Sequence, residues 1–172
     1  RAQQNVNKED KVLAEKIGKL VAAELGPQFE REKILGSDEI GDVVMTTPFL
    51  RELRRLLPDA WITLVVKPSV YNLVELCPYV NEVLTYDWRG PRLVRPMQRH
   101  WRALRLAWKH LWPRRFELAI LPRWDTDYYH GTFLAYFSGA SSRVGYSENV
   151  NAFKKRLSQG LGRLFTHVLE DS

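Results

Sequence analysis

The sequence predicts an α/β domain: a parallel β-sheet with helices packed on its faces. Short apolar runs of strand type alternate with segments of helical period along the chain. Such alternation is typical of parallel sheets covered by crossover helices. The 172 residues are 45% hydrophobic and 27% charged, an ordinary globular composition in a chain long enough to bury a core.

The N-terminal segment has a different character from the rest. Residues 8–25 predict an amphipathic helix, and Gly26-Pro27 ends it. Its apolar residues, at helical spacing, are Val12, Leu13, Ile17, Leu20, Val21 and Leu25. We therefore expect a helical extension over residues 1–30 and a single α/β domain over residues 31–172.

Five strands and four helices follow within that domain. The predicted strands are a very short one at 33–35, then 61–66, a segment within 80–86, 116–121 and 143–146. The first predicted helix begins at Pro48, with Thr47 as its N-cap. The other three are predicted at 69–76, 97–112 and 132–137. The tail from Asn151 is basic and helix-prone.

The helix predicted over 97–112 combines tryptophans with basic residues. Its apolar residues form a seam that we expect to pack on the sheet: Met97, Trp101, Leu104, Trp108 and Leu111. Residues 88–115 carry nine Arg or Lys side chains and no acid, whereas the whole chain has a net charge of +6. This segment therefore predicts a local anionic partner. An anionic membrane surface is one candidate, and nucleic acid ranks below it because no nucleic-acid-binding signature is present.

Composition and motifs restrict the compartment and the kinds of binding site that fit this chain. The single cysteine, Cys77, excludes an internal disulfide and fits a reducing compartment. No run of eighteen apolar residues predicts a membrane span, and no signal peptide is visible. Neither a GxGxxG nor a Walker pattern occurs, which favours a domain that does not hold a nucleotide.

Ligands of parallel α/β sheets bind beyond the carboxyl ends of the strands. The loops over 36–47 and 122–131 are both expected at that edge. Asp42 follows Gly41 at a strand-to-helix turn, where a carboxylate can act as a general base. From the local pattern alone, helix capping is the more common role for an aspartate there.

The second loop carries a cluster of polar and aromatic side chains. Arg123 could bind a phosphate or carboxylate of a ligand, because its planar guanidinium suits such groups. Asp125, Asp127 and His130 could hydrogen-bond sugar hydroxyls, and Trp124 could stack on a sugar ring. The alternative is a helix N-terminus capped by Asp125 or Asp127. Two acids and one histidine match a metal site poorly, so no metal is expected.

Residues 38–48, DEIGDVVMTTP, closely resemble the opening motif of family-nine glycosyltransferases, which include the heptosyltransferases of lipopolysaccharide core synthesis. The resemblance continues at residues 57–60, 77–83, 115–120 and 138–146, in the family's order. It covers roughly residues 33–170 in all.

This resemblance implies the N-terminal half of a GT-B fold, a Rossmann-like domain that binds the acceptor. A second domain would hold the nucleotide-sugar, so this chain alone is not expected to catalyse transfer. The implied reaction inverts the anomeric centre and uses no metal or cofactor, since the nucleotide-sugar is a co-substrate. Asp42 is the implied base, and Gly41, Thr46 and Thr47 help to shape the acceptor site.

The implied acceptor is a saccharide or glycolipid, and the implied location is the cytoplasm, peripherally on the inner face of the membrane. A different class of function also fits: a non-catalytic domain of the same fold that binds anionic glycolipid or membrane.

Overall fold

The computed structural model describes residues 33–38, 40–87, 95–123, 127, 131–150, 152–157 and 160–170. It also places four residues of the N-terminal segment, Val12, Glu15, Lys16 and Lys19, in a helix, with an ion pair of 2.8 Å between Lys19 Nζ and Glu15 Oε1. The remainder of the predicted helical extension lies outside the described residues.

The described strands form one six-stranded, fully parallel sheet with the spatial order β3-β2-β1-β4-β5-β6. The strands are β1 (Lys33–Asp38), β2 (Trp61–Val66), β3 (Glu82–Thr85), β4 (Leu118–Leu121), β5 (Ser142–Tyr146) and β6 (His167–Leu169). This is the strand order of a doubly wound, Rossmann-like sheet. The fold class predicted from the sequence is confirmed.

Helices connect the strands. They are α1 (Ile40–Leu56), α2 (Tyr71–Val74), α3 (Arg95–Leu106), α4 (Gly131–Phe137) and α5 (Ala152–Leu157). One turn of 3-10 helix, Pro68–Val70, precedes α2, and α3 continues into a π-helical turn, Ala107–Leu111, and a 3-10 turn, Trp112–Arg114. Two further 3-10 turns, Glu148–Val150 and Leu161–Leu164, flank α5.

The first strand and helix differ from the prediction. β1 is six residues long and pairs with β2 throughout, from Lys33 opposite Trp61 to Asp38 opposite Val66. Gly36 and Ser37 are poor strand formers, but pairing with a neighbouring central strand overrides that propensity. The chain thus reaches the carboxyl edge of the sheet at Asp38, and α1 begins directly at Ile40. Pro48 lies inside α1, so the prediction of Thr47 as the N-cap was wrong.

β6 was missed by the sequence analysis, which predicted only helix in the tail. Three residues are too few to display an alternating pattern. Arg143 of β5 secures this strand, because its backbone N–H donates to Thr166 Oγ1 at 2.7 Å and its Nε donates to the Leu164 carbonyl at 2.8 Å. The ring of Phe165 lies directly over Gly145, where any side chain would collide with it.

Alternate residues of the central strands supply two separate cores, one on each face of the sheet. On one face, side chains of α1 and α2 pack on Ile62, Leu64, Leu118 and Ile120. On the opposite face, α3 and α4 pack on Val65 and Ala119. The sheet is therefore covered by helices on both faces.

Of the apolar seam predicted over 97–112, Leu111 is buried as expected, but α3 and the π-helical turn after it otherwise bury alanines, and the Met97 side chain lies outside the described part. The buried side chains are Ala103, Ala107 and Leu111, all fully buried. Trp101 and Trp108, expected to pack on the sheet together with Leu104, are 66% and 69% exposed, and Leu104 is only half-buried. The small alanines let the helix approach the sheet closely. The π-helical turn widens the helical repeat, so residues four apart share one face.

Arg54, near the end of α1, links three elements through its guanidinium. Its Nε donates to the Tyr79 carbonyl at 3.2 Å, and its Nη1 donates to the carbonyls of Pro58 and Ala60 at 2.9 and 2.7 Å. Its Nη2 donates to Asn81 Oδ1, which also accepts the N–H of Ile62. Burial lowers the pKa of Arg54, an effect partly offset by Asp59. The guanidinium still stays charged, since its ordinary value is so high.

We predict that Arg54→Lys lowers the free energy of unfolding by about 2 kcal/mol, because one ammonium cannot serve four acceptors arranged for a planar fork. Arg55 is the next residue of α1. Its side chain is exposed, and its Nε donates to Glu52 Oε2. Arg55→Lys should therefore change stability by less than about 0.5 kcal/mol. Urea unfolding of both variants measures the difference, and equal midpoints would contradict the assigned role of Arg54.

Candidate functional site

The strand order reverses between β1 and β4. The chain adds β2 and β3 on one side of β1 and then crosses over, so that β4, β5 and β6 lie on the other side. In open parallel sheets a crevice forms at this position, because the connections leaving the two neighbouring strands turn to opposite faces. The carboxyl ends of β1 and β4 therefore mark the candidate site.

The predicted base lies at this edge. Gly41 and Asp42 are in the first turn of α1, which begins two residues after β1 ends. Thr46 and Thr47 follow in the second turn, and Thr47 is exposed. Side-chain positions of Gly41, Asp42 and Thr46 lie outside the described part, so the roles of these residues stay predictions. What the backbone establishes is their place at the carboxyl edge.

Arg123 is brought to the same edge by β4. Ile34 of β1 is opposite Leu118 of β4, and Leu35 is opposite Ala119. Arg123 stands two residues after the end of β4, and neighbouring strands lie about 4.8 Å apart. The two loops singled out in the sequence thus begin side by side. The Arg123 side chain is buried, with 9% exposed.

Lys154 of α5 is a residue of this region that the sequence analysis missed. It is 6% exposed, and its Nζ donates to the Arg123 carbonyl at 3.0 Å and lies 5.9 Å from the centre of the Tyr146 ring. In the sequence it stands in the run KKR, which resembles a solvated basic segment. Its position depends on a contact that is not local in the sequence, because Arg123 lies 31 residues before it.

A narrow cavity of about 10 Å³ lies between Arg123, Asp127 and Lys154, closed on the other side by Phe165 and Glu148. A volume of this size holds about one water molecule. A sugar ring therefore cannot enter it, and any acceptor would bind in the crevice outside.

Asp127 caps α4. Its Oδ1 accepts the N–H of Gly131 at 2.9 Å, and its Oδ2 accepts the N–H of Thr132 at 2.8 Å. The alternative prediction, that Asp125 or Asp127 caps the helix, is therefore confirmed for Asp127. Trp124, Asp125 and His130 lie outside the described residues, and their predicted contacts with an acceptor stay predictions. Across the described ranges, no three His, Cys, Asp or Glu side chains cluster as metal ligands would.

Two solved structures share the fold of this chain. A family 9 glycosyl transferase from Veillonella parvula DSM 2008 matches with a TM-score of 0.60 and 20% sequence identity over 81% of this chain and 36% of that one. ADP-heptose lps heptosyltransferase II of E. coli matches with a TM-score of 0.52 and 18% identity over 76% of this chain and 33% of that one. The chain has the fold of part of a glycosyltransferase. It spans about a third of the length of these enzymes.

At identities of 20% and 18%, the two structures establish the fold. No protein-family model matches the chain, and no curated protein does. The structural likeness therefore concerns the fold alone. The activity has to be argued from the site.

We predict that Asp127→Ala lowers the free energy of unfolding by about 1–2 kcal/mol, because two N–H groups at the start of α4 lose their acceptor. Asp127→Asn keeps one carbonyl oxygen and should cost about half as much. Thermal unfolding of the two variants measures this order. Equal loss in both would mean that the carboxylate acts through its charge and not through two hydrogen bonds.

Proposed function

We propose that this chain is the acceptor-binding domain of an inverting glycosyltransferase, which moves a heptose-like sugar from a nucleotide-sugar to a saccharide or glycolipid. The observation that carries the proposal is the position of the IGD motif, residues 40–42, in the first turn of α1 beside the switch point of the sheet. The ligands of doubly wound sheets bind at this place.

In the proposed reaction Asp42 takes the proton of the acceptor hydroxyl. The freed oxygen attacks the anomeric carbon from the side opposite the nucleoside diphosphate, so the new glycosidic bond forms as the bond to the leaving group breaks, with inversion. A carboxylate suits this task because general bases need a proton-accepting group within hydrogen-bond reach of the nucleophile. Gly41, which lacks a side chain, leaves room for the acceptor beside the backbone.

The loop after β4 is the proposed second wall of the acceptor site. Its support is the register, which starts residues 122–130 beside the start of α1. Asp127 and Lys154 fix the two ends of this segment, the former on α4 and the latter through the Arg123 carbonyl. In this proposal Arg123, Asp125, Asp127 and His130 supply polar contacts to acceptor groups that reach the crevice.

The nucleotide-sugar is assigned to a second domain. Neither phosphate-binding motif is present in the chain, and the two enzymes of known structure are about three times as long as the part that this chain matches. We propose the cytoplasmic face of the membrane as the location. None of the helices in the described part is long and apolar enough to cross a bilayer.

The alternative function is a non-catalytic domain of the same fold that binds anionic glycolipid. Its support is the exposure of Trp101 and Arg105 on α3 and of Trp108 in the π-helical turn that follows. Sugar transfer separates the two functions, since only the enzyme moves label from a nucleotide-sugar to the acceptor.

We predict that Asp42→Asn reduces kcat for sugar transfer by about 10²–10⁴-fold, because the amide cannot accept the proton of the acceptor hydroxyl. The measurement uses the complete polypeptide that contains this domain, a panel of labelled nucleotide-sugars and a membrane glycolipid extract. KM for the acceptor should change much less than kcat.

The matched control is Asp59→Asn, the same change at an exposed aspartate in the turn between α1 and β2, at the opposite edge of the sheet. It should leave kcat unaltered. Near wild-type turnover of Asp42→Asn would refute the assignment of the base. Absence of label transfer from every donor by the wild-type protein would favour the non-catalytic domain.

We also predict that transfer continues at an unchanged rate after dialysis against EDTA, because the proposed chemistry uses a protein carboxylate and no bound cation. The leaving diphosphate is then stabilised by cationic or N–H groups of the second domain. Rates before and after dialysis, with and without added Mg²⁺, measure this. A loss that Mg²⁺ restores would show that a divalent cation takes part.

A further inference from the structure

The outer face of α3 and of the π-helical turn after it carries an apolar patch that is exposed in the described part of the chain. Trp101 and Trp108 are 66% and 69% exposed and stand seven residues apart, which is two helical turns. Leu104 lies between them on the same stripe, three residues from one and four from the other. The side chains of Trp101, Leu104 and Trp108, with Arg102 and Arg105, line an open depression of about 440 Å³.

This helix is firmly held, so the exposure is not that of a loose segment. Ala103, Ala107 and Leu111 are fully buried against the sheet. Arg102 Nη1 donates to the Asp87 carbonyl at 3.1 Å, and His100 contacts the ring of Phe133 on α4 edge-on, with 4.5 Å between ring centres. Arg114, just after the π-helical turn, forms a paired hydrogen bond with the carboxylate of Glu82.

Trp112 is exposed to 46% but belongs to the fold. Its Nε1 donates to the Phe137 carbonyl at the end of α4 at 2.5 Å, and its ring contacts Gly139, which adopts a positive φ of 75°. The indole therefore completes the C-terminus of α4. Trp101 and Trp108 are the two aromatic side chains of this face that project outward without such a role.

The charged residues of the segment that carries the patch are all basic. Arg105 and Lys109 are exposed beside the two tryptophans, and residues 88–115 contain nine basic residues and no acid. Aromatic side chains flanked by cations on one helix face are characteristic of helices that lie in the headgroup region of a bilayer. Indole rings favour that boundary, and Arg and Lys bind lipid phosphates.

We propose that the α3 face formed by Trp101, Leu104, Arg105, Trp108 and Lys109 docks the protein on the surface of an anionic lipid bilayer. The indoles of Trp101 and Trp108 enter the interface with Leu104 between them, and Arg105 and Lys109 contact lipid phosphates. Leu104 favours lipid over nucleic acid as the partner. If nucleic-acid bases stacked on the two indoles, the aliphatic side chain of Leu104 between them would face the polar sugar-phosphate backbone. The inference rests on this surface and not on the proposed transfer reaction.

The test is cosedimentation of the protein with vesicles of phosphatidylcholine alone and of phosphatidylcholine mixed with phosphatidylglycerol. Binding is expected only to the anionic vesicles and should weaken steeply as salt is added. Tryptophan emission should shift to the blue and be quenched by brominated lipid. Trp101→Ala/Trp108→Ala should weaken binding by about tenfold or more and remove most of the quenching.

The charge variant is Arg105→Gln/Lys109→Gln, expected to weaken binding by about fivefold for each charge removed. Two matched control variants make the same kinds of substitution at other places on the protein surface. Trp61→Ala changes an exposed tryptophan at the start of β2, and Arg51→Gln/Arg55→Gln removes two exposed charges from α1, on the opposite face of the sheet. Both controls should bind vesicles as the wild type does. All variants should unfold at the wild-type temperature, because the substituted side chains are exposed.

Three results would overturn the proposal. One is equal binding to neutral and anionic vesicles, or no binding to either. Another is binding that the control variants weaken as much as the α3 variants do. The third is that the protein binds no vesicles but does bind a single-stranded oligonucleotide or form a stable dimer, and that the α3 variants abolish this interaction. Nucleic acid or a second copy would then be the partner of this face.

Discussion

The pairing of β1 between β2 and β4 is the constraint on which the rest of the molecule depends. β1 is paired to β2 along all six of its residues and to β4 on its other edge. This placement puts the reversal of strand order in the centre of the sheet. It also sends the chain in opposite directions on leaving the two strands, so that α1 packs on one face while α3 and α4 pack on the other. The crevice at their carboxyl ends is a consequence of that geometry.

The candidate site follows from the same pairing. Residues 40–42 begin α1 directly beyond β1, and Arg123 leaves β4 beside them by register. The supporting contacts lie one layer further out: Asp127 holds the start of α4, and Lys154 holds the Arg123 carbonyl. The site is thus defined by two strand ends, and the loop after β4 is held near its start by the buried Lys154 and near its end by Asp127 at the N-terminus of α4.

Much of this fold was accessible from the sequence, and the errors have physical causes. β2 was predicted with its observed bounds, because six β-favouring residues stand between Pro58-Asp59 and Pro68. β1 was predicted too short, since the pairing that holds Gly36 and Ser37 in a strand is not visible locally. For α3, hydrophobicity indicated the wrong stripe: the largest apolar side chains face outward, and two alanines with Leu111 face the sheet. The buried role of Lys154 had no sequence signal, because it depends on a hydrogen bond to the Arg123 carbonyl, 31 residues earlier.

The outward tryptophans and the central crevice are separate properties of one chain. α3 contributes small side chains to the core and large ones to its exposed face, while α4 beside it starts from the loop of the candidate site.

The most direct measurement is a crystal structure of the complete polypeptide with an acceptor saccharide and an unreactive nucleotide-sugar analogue. We expect the acceptor in the crevice beyond β1 and β4, with one of its hydroxyls hydrogen-bonded to the Asp42 carboxylate and the sugar of the analogue on the opposite side of that hydroxyl. An acceptor bound away from this edge, or the nucleotide itself seated in the crevice of this domain, would contradict the proposed function.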